Sequence, residues 1–282
     1  SETYGDTLKG DDNVNIIYGY SGNDVINGKG GIDTIFGGDG NDSITTGSGI
    51  GDVALGESGA DTIYGNFDSD FLWGGNTTED LVEDWINFTG TTAVVLDLST
   101  TVSAGSGDYV TTYSKAMKQS DNAQFDYVTQ IENIVGSSGE DTLAGNSASN
   151  TIQSGDGDDI IYYTRGLDVY DGGNGSDWIS FTKETTTTVN FDLRNNVVGG
   201  SISAASVSSI ENIIGYDGIQ NTSESWGSSS SNTFVMYAGN DHVIGGDGGD
   251  VYDMGDGDDR VSANYGSDKI IGGAGFDYLD YR

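Results

Sequence analysis

Apolar residues recur along this chain at intervals of nine, each two positions after an Asp or Asn. The acidic or amide positions are Asn15, Asp24, Asp33, Asp42, Asp52, Asp61 and Asp70 in a first run, Asp141, Asn150, Asp159, Asp168 and Asp177 in a second, and Asn232, Asp241, Asp250, Asp259, Asp268 and Asp277 in a third. Only the step from Asp42 to Asp52 absorbs an extra residue. The apolar positions form a ladder: Ile17, Ile26, Ile35, Ile44, Ile63 and Leu72; then Leu143, Ile152, Ile161, Tyr170 and Ile179; then Phe234, Val243, Tyr252, Val261, Ile270 and Leu279. Three-residue segments such as Thr34-Ile35-Phe36 predict minimal strands whose middle side chain turns inward, and the glycine-rich half of each unit predicts a turn. Stacked units would share one thin core.

Two longer segments lie between the runs and resemble each other. Asp84-Trp85-Ile86-Asn87-Phe88-Thr89 returns as Asp177-Trp178-Ile179-Ser180-Phe181-Thr182, and Ile131-Glu132-Asn133-Ile134 returns as Ile210-Glu211-Asn212-Ile213. Val94-Val95-Leu96-Asp97-Leu98 likewise returns as Val189-Asn190-Phe191-Asp192-Leu193. Their alternating, β-branched character predicts strands, hence wider coils of the same solenoid. The expected organisation is a first run over 1–76, a wider β-coil over 77–135, a second run over 136–180, a second wider segment over 181–226 and a third run over 227–282, all in one continuous solenoid. A polar stretch from Tyr113 to Gln124 is expected as a surface loop. The chain starts at Ser1 and a third wide segment opens at Asp277, so a piece of a longer repetitive protein is expected.

Composition alone would suggest disorder: 46 Gly, no Pro, and 45 acidic against 10 basic residues, for a net charge of -35. The periodicity overrides that reading. No Cys is present, which removes disulfides and thiolate metal sites, so stability must come from stacking or from hard ions. The acidity argues against nucleic acid and anionic lipid as partners and favours cations. No apolar run is long enough to span a bilayer.

The loops GGDGND at Gly37, GGNGSD at Gly172 and GGAGFD at Gly272 resemble the glycine-aspartate nonapeptide of RTX, or haemolysin-type calcium-binding, proteins. That resemblance implies an all-β fold, a parallel β-roll or β-helix solenoid in which two nonapeptides make one turn and calcium sits in the glycine-rich loops. It implies metal ligation by Asp24, Asp33, Asp42, Asp52, Asp61, Asp70, Asp141, Asp159, Asp168, Asp177, Asp241, Asp250, Asp259, Asp268 and Asp277. Some units depart from the pattern: Asn15, Asn150 and Asn232 replace Asp, Thr46 to Leu55 lacks the paired glycines, and GNFDSD at Gly65 places Asp68 where Gly is expected.

With two units per turn, residues 18 apart stack, as Asp24 does with Asp42 and Asp250 with Asp268. At the ~4.8 Å spacing of adjacent strands and an effective dielectric of ~20, each ionised pair repels by roughly 3 kcal/mol. Summed over many steps this rivals the ~5–15 kcal/mol net stability of a domain. Calcium relieves the conflict because it takes about 6–8 oxygen ligands at about 2.3–2.6 Å, mixing carboxylates with carbonyls. Ca2+ binding would then be folding energy.

Other chemistry finds little support. One histidine, His242, reads as a solvated surface residue, and there is neither an HExxH helix nor a GxSxG elbow. Asp97 and Asp192 read as strand-end hydrogen bonders, Glu132 and Glu211 as structural, and Asp39, Asp156, Asp247 and Asp256 as solvated loop carboxylates. No enzyme activity is expected. Tyr64, Trp73, Tyr162, Tyr163 and Trp178 are candidates for exposed aromatics that stack on sugars or a partner. The chain is expected to be a calcium-folded segment of a secreted bacterial surface protein of adhesin or S-layer type, exported by type I secretion and working outside the cell. The rival expectations are a module binding a cell-surface glycan or a partner, attached to an extracellular enzyme, and a segment that joins other copies of itself through calcium.

Overall fold

Short strands stack one above another at the period that the sequence sets. The computed structural model describes residues 4–75, 83–90, 92–104, 111–182, 189–193, 197–200, 206–215 and 224–281. Among these there are strands, bridges, turns and bends but no helix, and hence none long and apolar enough to cross a membrane. The chain divides into two compact units, Ser1–Gly145 and Asn146–Arg282, and the division falls inside the second nonapeptide run.

In the first unit, one parallel stack joins Thr7–Lys9, Val25–Asn27, Ser43–Thr45, Thr62–Tyr64, Trp85–Asn87 and Asn133–Val135. A second joins Ile16–Ser21, Thr34–Asp39, Val53–Ser58 and Phe71–Gly75. Ile26 pairs with Ile44, and Ile35 with Ala54, so consecutive turns are two nonapeptides apart. Side chains alternate inward and outward because the strand period is two. Ile26, Ile35, Ile44, Ile63 and Leu72 are buried, with Ala54 filling the rung that carries the inserted residue.

The wider coils repeat in structure as well as sequence. Trp85–Asn87 and Asn133–Val135 pair in parallel and bury Ile86, Phe88 and Ile134. Val94–Asp97 lies parallel to Thr142–Ala144. The stretch expected as a loop is instead an antiparallel hairpin of Thr111–Lys118 and Asp121–Thr129, with Val102–Ala104 added to its edge. Its polar sequence hid alternation that buries Tyr113, Ala116, Asp126 and Val128. Residues 127–129 pair with Phe71–Trp73, which places the hairpin directly above the last nonapeptide turn of the first run.

In the second unit, Thr151–Asp156 and Val169–Asn174 stack with Ser206–Ser208, and Ile160–Tyr162, Trp178–Ser180, Asn212–Ile214, Thr233–Val235, Val251–Asp253 and Lys269–Ile271 form a longer parallel column. A third column runs through Val189–Asp192, Glu224–Trp226, His242–Gly246, Arg260–Ala263 and Tyr278–Tyr281, with Val197–Gly200 antiparallel to the first of these. The ladder Ile152, Ile161, Tyr170, Ile179, Phe234, Val243, Tyr252 and Val261 is buried. Its last rung, Leu279, is 49% exposed, and Ile17 at the first turn and Ile270 are half-buried, since each lies near an open edge with fewer neighbours.

Candidate metal centre

All but one of the aspartates of the nine-residue lattice are withdrawn from solvent. Asp24, Asp33, Asp42, Asp52, Asp61, Asp70, Asp141, Asp159, Asp168, Asp177, Asp241, Asp250 and Asp259 are all buried; Asp268 is half-buried and Asp277, on the last coil, is exposed. Among the described residues, most of them but not Asp241 accept a backbone hydrogen bond on one carboxylate oxygen. In the first unit the backbone N–H of Asp24 donates to Asp42 Oδ1 at 2.7 Å, that of Asp42 to Asp61 at 2.7 Å, and that of Asp61 to Asp84 at 2.8 Å. On the opposite edge the N–H of Asn15 donates to Asp33, that of Asp33 to Asp52 and that of Asp52 to Asp70. The second unit repeats the device from Asn150 to Asp168, Asp159 to Asp177, Asn232 to Asp250, Asp250 to Asp268, Asp241 to Asp259 and Asp259 to Asp277. These are carboxylate spines: each turn's carboxylate satisfies a strand-entry amide of the turn before.

The spines extend one lattice step earlier, to Asp6, and through residues that lie off the lattice. Asp6 donates to Asp24, Asp70 to Asp126, Asp84 to Glu132 and Asp177 to Glu211. Glu132 and Glu211 are therefore structural, as expected. Asp84 and Asp126 are spine members that the nine-residue spacing misses, although each has an apolar residue two positions on, Ile86 and Val128. Asp97 bonds the Ser99 amide at 2.9 Å at its strand end; the side chain of Asp192 lies outside the described residues. Asp39, Asp156, Asp247 and Asp256 are exposed. His242 is half-buried rather than solvated, because it lies within a strand flanked by Glu224 and Arg260 in register. Tyr163 is buried against Phe181, and Tyr64, Trp73, Tyr162 and Trp178 are half-buried, so this set offers no fully exposed platform.

The second carboxylate oxygen divides the lattice positions. Oδ2 of Asp24, Asp33, Asp42, Asp52, Asp177, Asp241 and Asp259 is buried with no hydrogen-bond donor. Elsewhere a protein group supplies one: Thr46 Oγ1 to Asp70 at 2.9 Å, the Ser137 amide to Asp141 at 2.6 Å, Tyr170 to Asp168 at 2.6 Å, Tyr252 to Asp250 at 3.3 Å and Tyr281 to Asp268 at 3.3 Å.

Before Asp24, Asp33, Asp42 and Asp177 the first residue of the loop is a glycine with no room for a side chain, whereas before Asp241 and Asp259 the same position holds the buried Met236 and Met254. An added Cβ at Gly37 would strike Asp42 Oδ2 and the carbonyl of Gly56; at Gly19, Asp24 Oδ2 and the carbonyl of Gly37; at Gly172, Asp177 Oδ2 and the carbonyl of Ser209. A carboxylate oxygen and the next turn's carbonyl oxygen therefore face one recess, rich in acceptors and without a donor. Burial pushes these acids up from their ordinary 3.8: Asp42 to about 6, and Asp177 and Asp241 to about 7, helped by repulsion from Asp24, Asp159 and Asp259 respectively. Asp70 rises to about 7 and Asp250 to about 6, also chiefly through burial.

Among the described residues no three acidic or imidazole side chains converge on one point, so a cation here would draw most of its ligands from loop carbonyls. That donor set is all oxygen, which fits a hard divalent ion and suits calcium better than zinc or copper.

A family model described as the RTX calcium-binding nonapeptide repeat matches residues 2–35, 18–53, 46–77, 135–170, 226–261 and 255–279, which together exceed half of the chain. The chain belongs to this family: it is an RTX repeat protein, a β-solenoid built on a calcium-binding structural repeat. No curated protein matches it.

Proposed function

We propose that this chain is the calcium-folded segment of a secreted bacterial surface protein of adhesin or S-layer type, and that its work is to become rigid outside the cell. The supporting observation is the row of buried carboxylate oxygens without donors, those of Asp24, Asp33, Asp42 and Asp177 each beside a carbonyl oxygen of the next turn. Such oxygens are costly to bury when ionised, and a divalent cation between them removes both desolvation and repulsion. Asp24, Asp33, Asp42, Asp52, Asp177, Asp241 and Asp259 are the ligands this favours, with the neighbouring loop carbonyls. Where calcium is scarce, inside the cell, the acidic chain stays unfolded and suited to type I export; where it is abundant, outside, binding drives folding.

No enzymatic role is assigned to these residues, because carboxylates engaged by backbone amides and a cation are poor acids and bases. Isothermal titration of the chelated chain tests the reading: heat of binding for several calcium ions, with magnesium a weak competitor, supports it, and absence of calcium binding ends it. A role in recognition is separable. A glycan array probed in calcium, with Trp73→Ala and Trp178→Ala as controls, would show signal lost in those variants if the segment were a polysaccharide module.

A further inference from the structure

Two of the inward rungs in the second unit are tyrosines where most rungs are aliphatic, and both follow the same tripeptide, Asp168-Val169-Tyr170 and Asp250-Val251-Tyr252. Tyr170 and Tyr252 are fully buried, yet each hydroxyl turns back toward the aspartate two residues before it. Tyr170 donates to Asp168 Oδ2 at 2.6 Å, and its hydroxyl also receives the Thr164 amide at 3.1 Å. Tyr252 donates to Asp250 Oδ2 at 3.3 Å.

The position of the Tyr252 hydroxyl is informative. At Gly245, the nearest atoms to an added Cβ are Tyr252 Oη and Asp250 Oδ2. At Gly19 and Gly37 the corresponding recess holds the Asp oxygen and the carbonyl of the next turn. The phenol hydroxyl thus enters the space that holds only acceptors in the Gly19 and Gly37 loops. At the Tyr170 step the first loop glycine is replaced by Tyr163 and the second by Thr164, whose hydroxyl lies 3.4 Å from Asp168 Oδ2.

The neighbouring steps of the two hydrogen-bond spines are closed by other means. Asn150 and Asn232 stand one turn before Asp168 and Asp250, and each accepts an amide of its own loop, from Asn146 and Ser228, at 2.8 Å. Beyond Asp250, Asp268 Oδ2 takes the Tyr281 hydroxyl. Asp177, which leads into a strand of the same column as Val251–Asp253, and Asp241 and Asp259, which lead into the third column, keep donorless oxygens.

We propose that in the second unit the Tyr170 and Tyr252 hydroxyls stand in for a cation, so that the loops closing on Asp168 and Asp250 hold no calcium while those of Asp177, Asp241 and Asp259 hold it. This rests on the calcium reading above. A hydroxyl donor and a cation satisfy the same oxygen, and with the hydroxyl in the recess there is no room for both. Nonapeptides of this unit then differ in kind: some are closed by the chain's own donors, others by metal.

The test is the calcium content of the full chain and its variants, measured by native mass spectrometry at saturating calcium. Asp→Asn keeps Oδ1 as the acceptor for the spine amide while removing the charge. Asp168→Asn and Asp250→Asn should bind as many ions as the parent, whereas Asp42→Asn and Asp259→Asn should lose bound calcium. If Asp168→Asn or Asp250→Asn loses calcium as Asp259→Asn does, the proposal is overturned. Crystals of the calcium-saturated parent cover the case in which a variant does not fold: anomalous peaks beside Asp241 and Asp259 with none beside Asp168 and Asp250 support it, and a peak at either of the latter refutes it. A parent chain that binds no calcium removes the underlying reading, a different outcome from an ion found at the tyrosine steps.

Discussion

Asp126 accepts the backbone N–H of Asp70 at 3.1 Å across 56 residues of sequence, and in doing so joins the inserted hairpin to the last nonapeptide loop of the first run. The same carboxylate takes the amides of Asn66 and Phe67 at 3.0 and 2.9 Å. Phe67 and Ser69 have φ of 69° and 68°, a left-handed conformation unfavourable for residues with a side chain, and the loop GNFDSD holds it with its amides aimed at Asp126. That loop presents amide donors to an anion. The positive φ falls on Phe67 and Ser69 and not on Asp68, so Asp68 can stand where glycine was expected.

Asp126→Ala should therefore unfasten the hairpin from the first run. Leaving three amides without an acceptor costs on the order of 3–5 kcal/mol. Urea denaturation in calcium should show the loss, with Asp126→Asn falling between variant and parent because it retains one acceptor oxygen. Parental stability in Asp126→Ala would contradict the assignment.

Gly37→Ala places a methyl group against Asp42 Oδ2 and the Gly56 carbonyl. Overpacking of this kind costs about 1–3 kcal/mol, and here it also displaces two prospective ligands. Calcium affinity and thermal stability should fall together. Ala at Ser43, a half-buried outward position on the adjacent strand, should change neither by more than a few tenths of a kcal/mol and serves as the control.

In chelator the pH dependence should run opposite to that of a protein held by salt bridges. Asp42 and Asp250 are raised to about 6, and Asp70, Asp177 and Asp241 to about 7, from an unfolded value near 3.8. Folded values above unfolded ones mean that protonation favours the metal-free fold. Its stabilising effect is complete below about pH 4 and disappears as pH rises through 6 to 7. Circular dichroism in EGTA should show strand content appearing on acidification from pH 7.5 to 4.5, and a chain equally unfolded at both would count against buried carboxylates as the obstacle. Calcium should move the folded range to neutral pH.

Much of this was legible in the sequence because the spacing of Ile26, Ile35, Ile44 and Ile63 reports both strand period and turn length. The spine members Asp84, Asp126, Glu132 and Glu211 were harder to read, since insertions of different length precede them and only the apolar residue two positions later marks them. The hairpin of Thr111–Lys118 and Asp121–Thr129 was missed because its polar composition resembles a loop, while its burial depends on packing over Phe71–Trp73. The division between donorless and satisfied carboxylates is not written in the spacing at all. It depends on whether a hydroxyl such as Thr46 Oγ1 reaches across 24 residues to Asp70, a tertiary relationship without a local signature.

The most direct measurement is far-UV circular dichroism of the whole chain at pH 7.5, recorded in EGTA and then during calcium titration. Buried acceptor-only recesses predict an unfolded spectrum in EGTA that converts cooperatively to β-structure as calcium is added. The same β-spectrum in EGTA and in calcium would show that the spines stand without a cation, and would contradict the account.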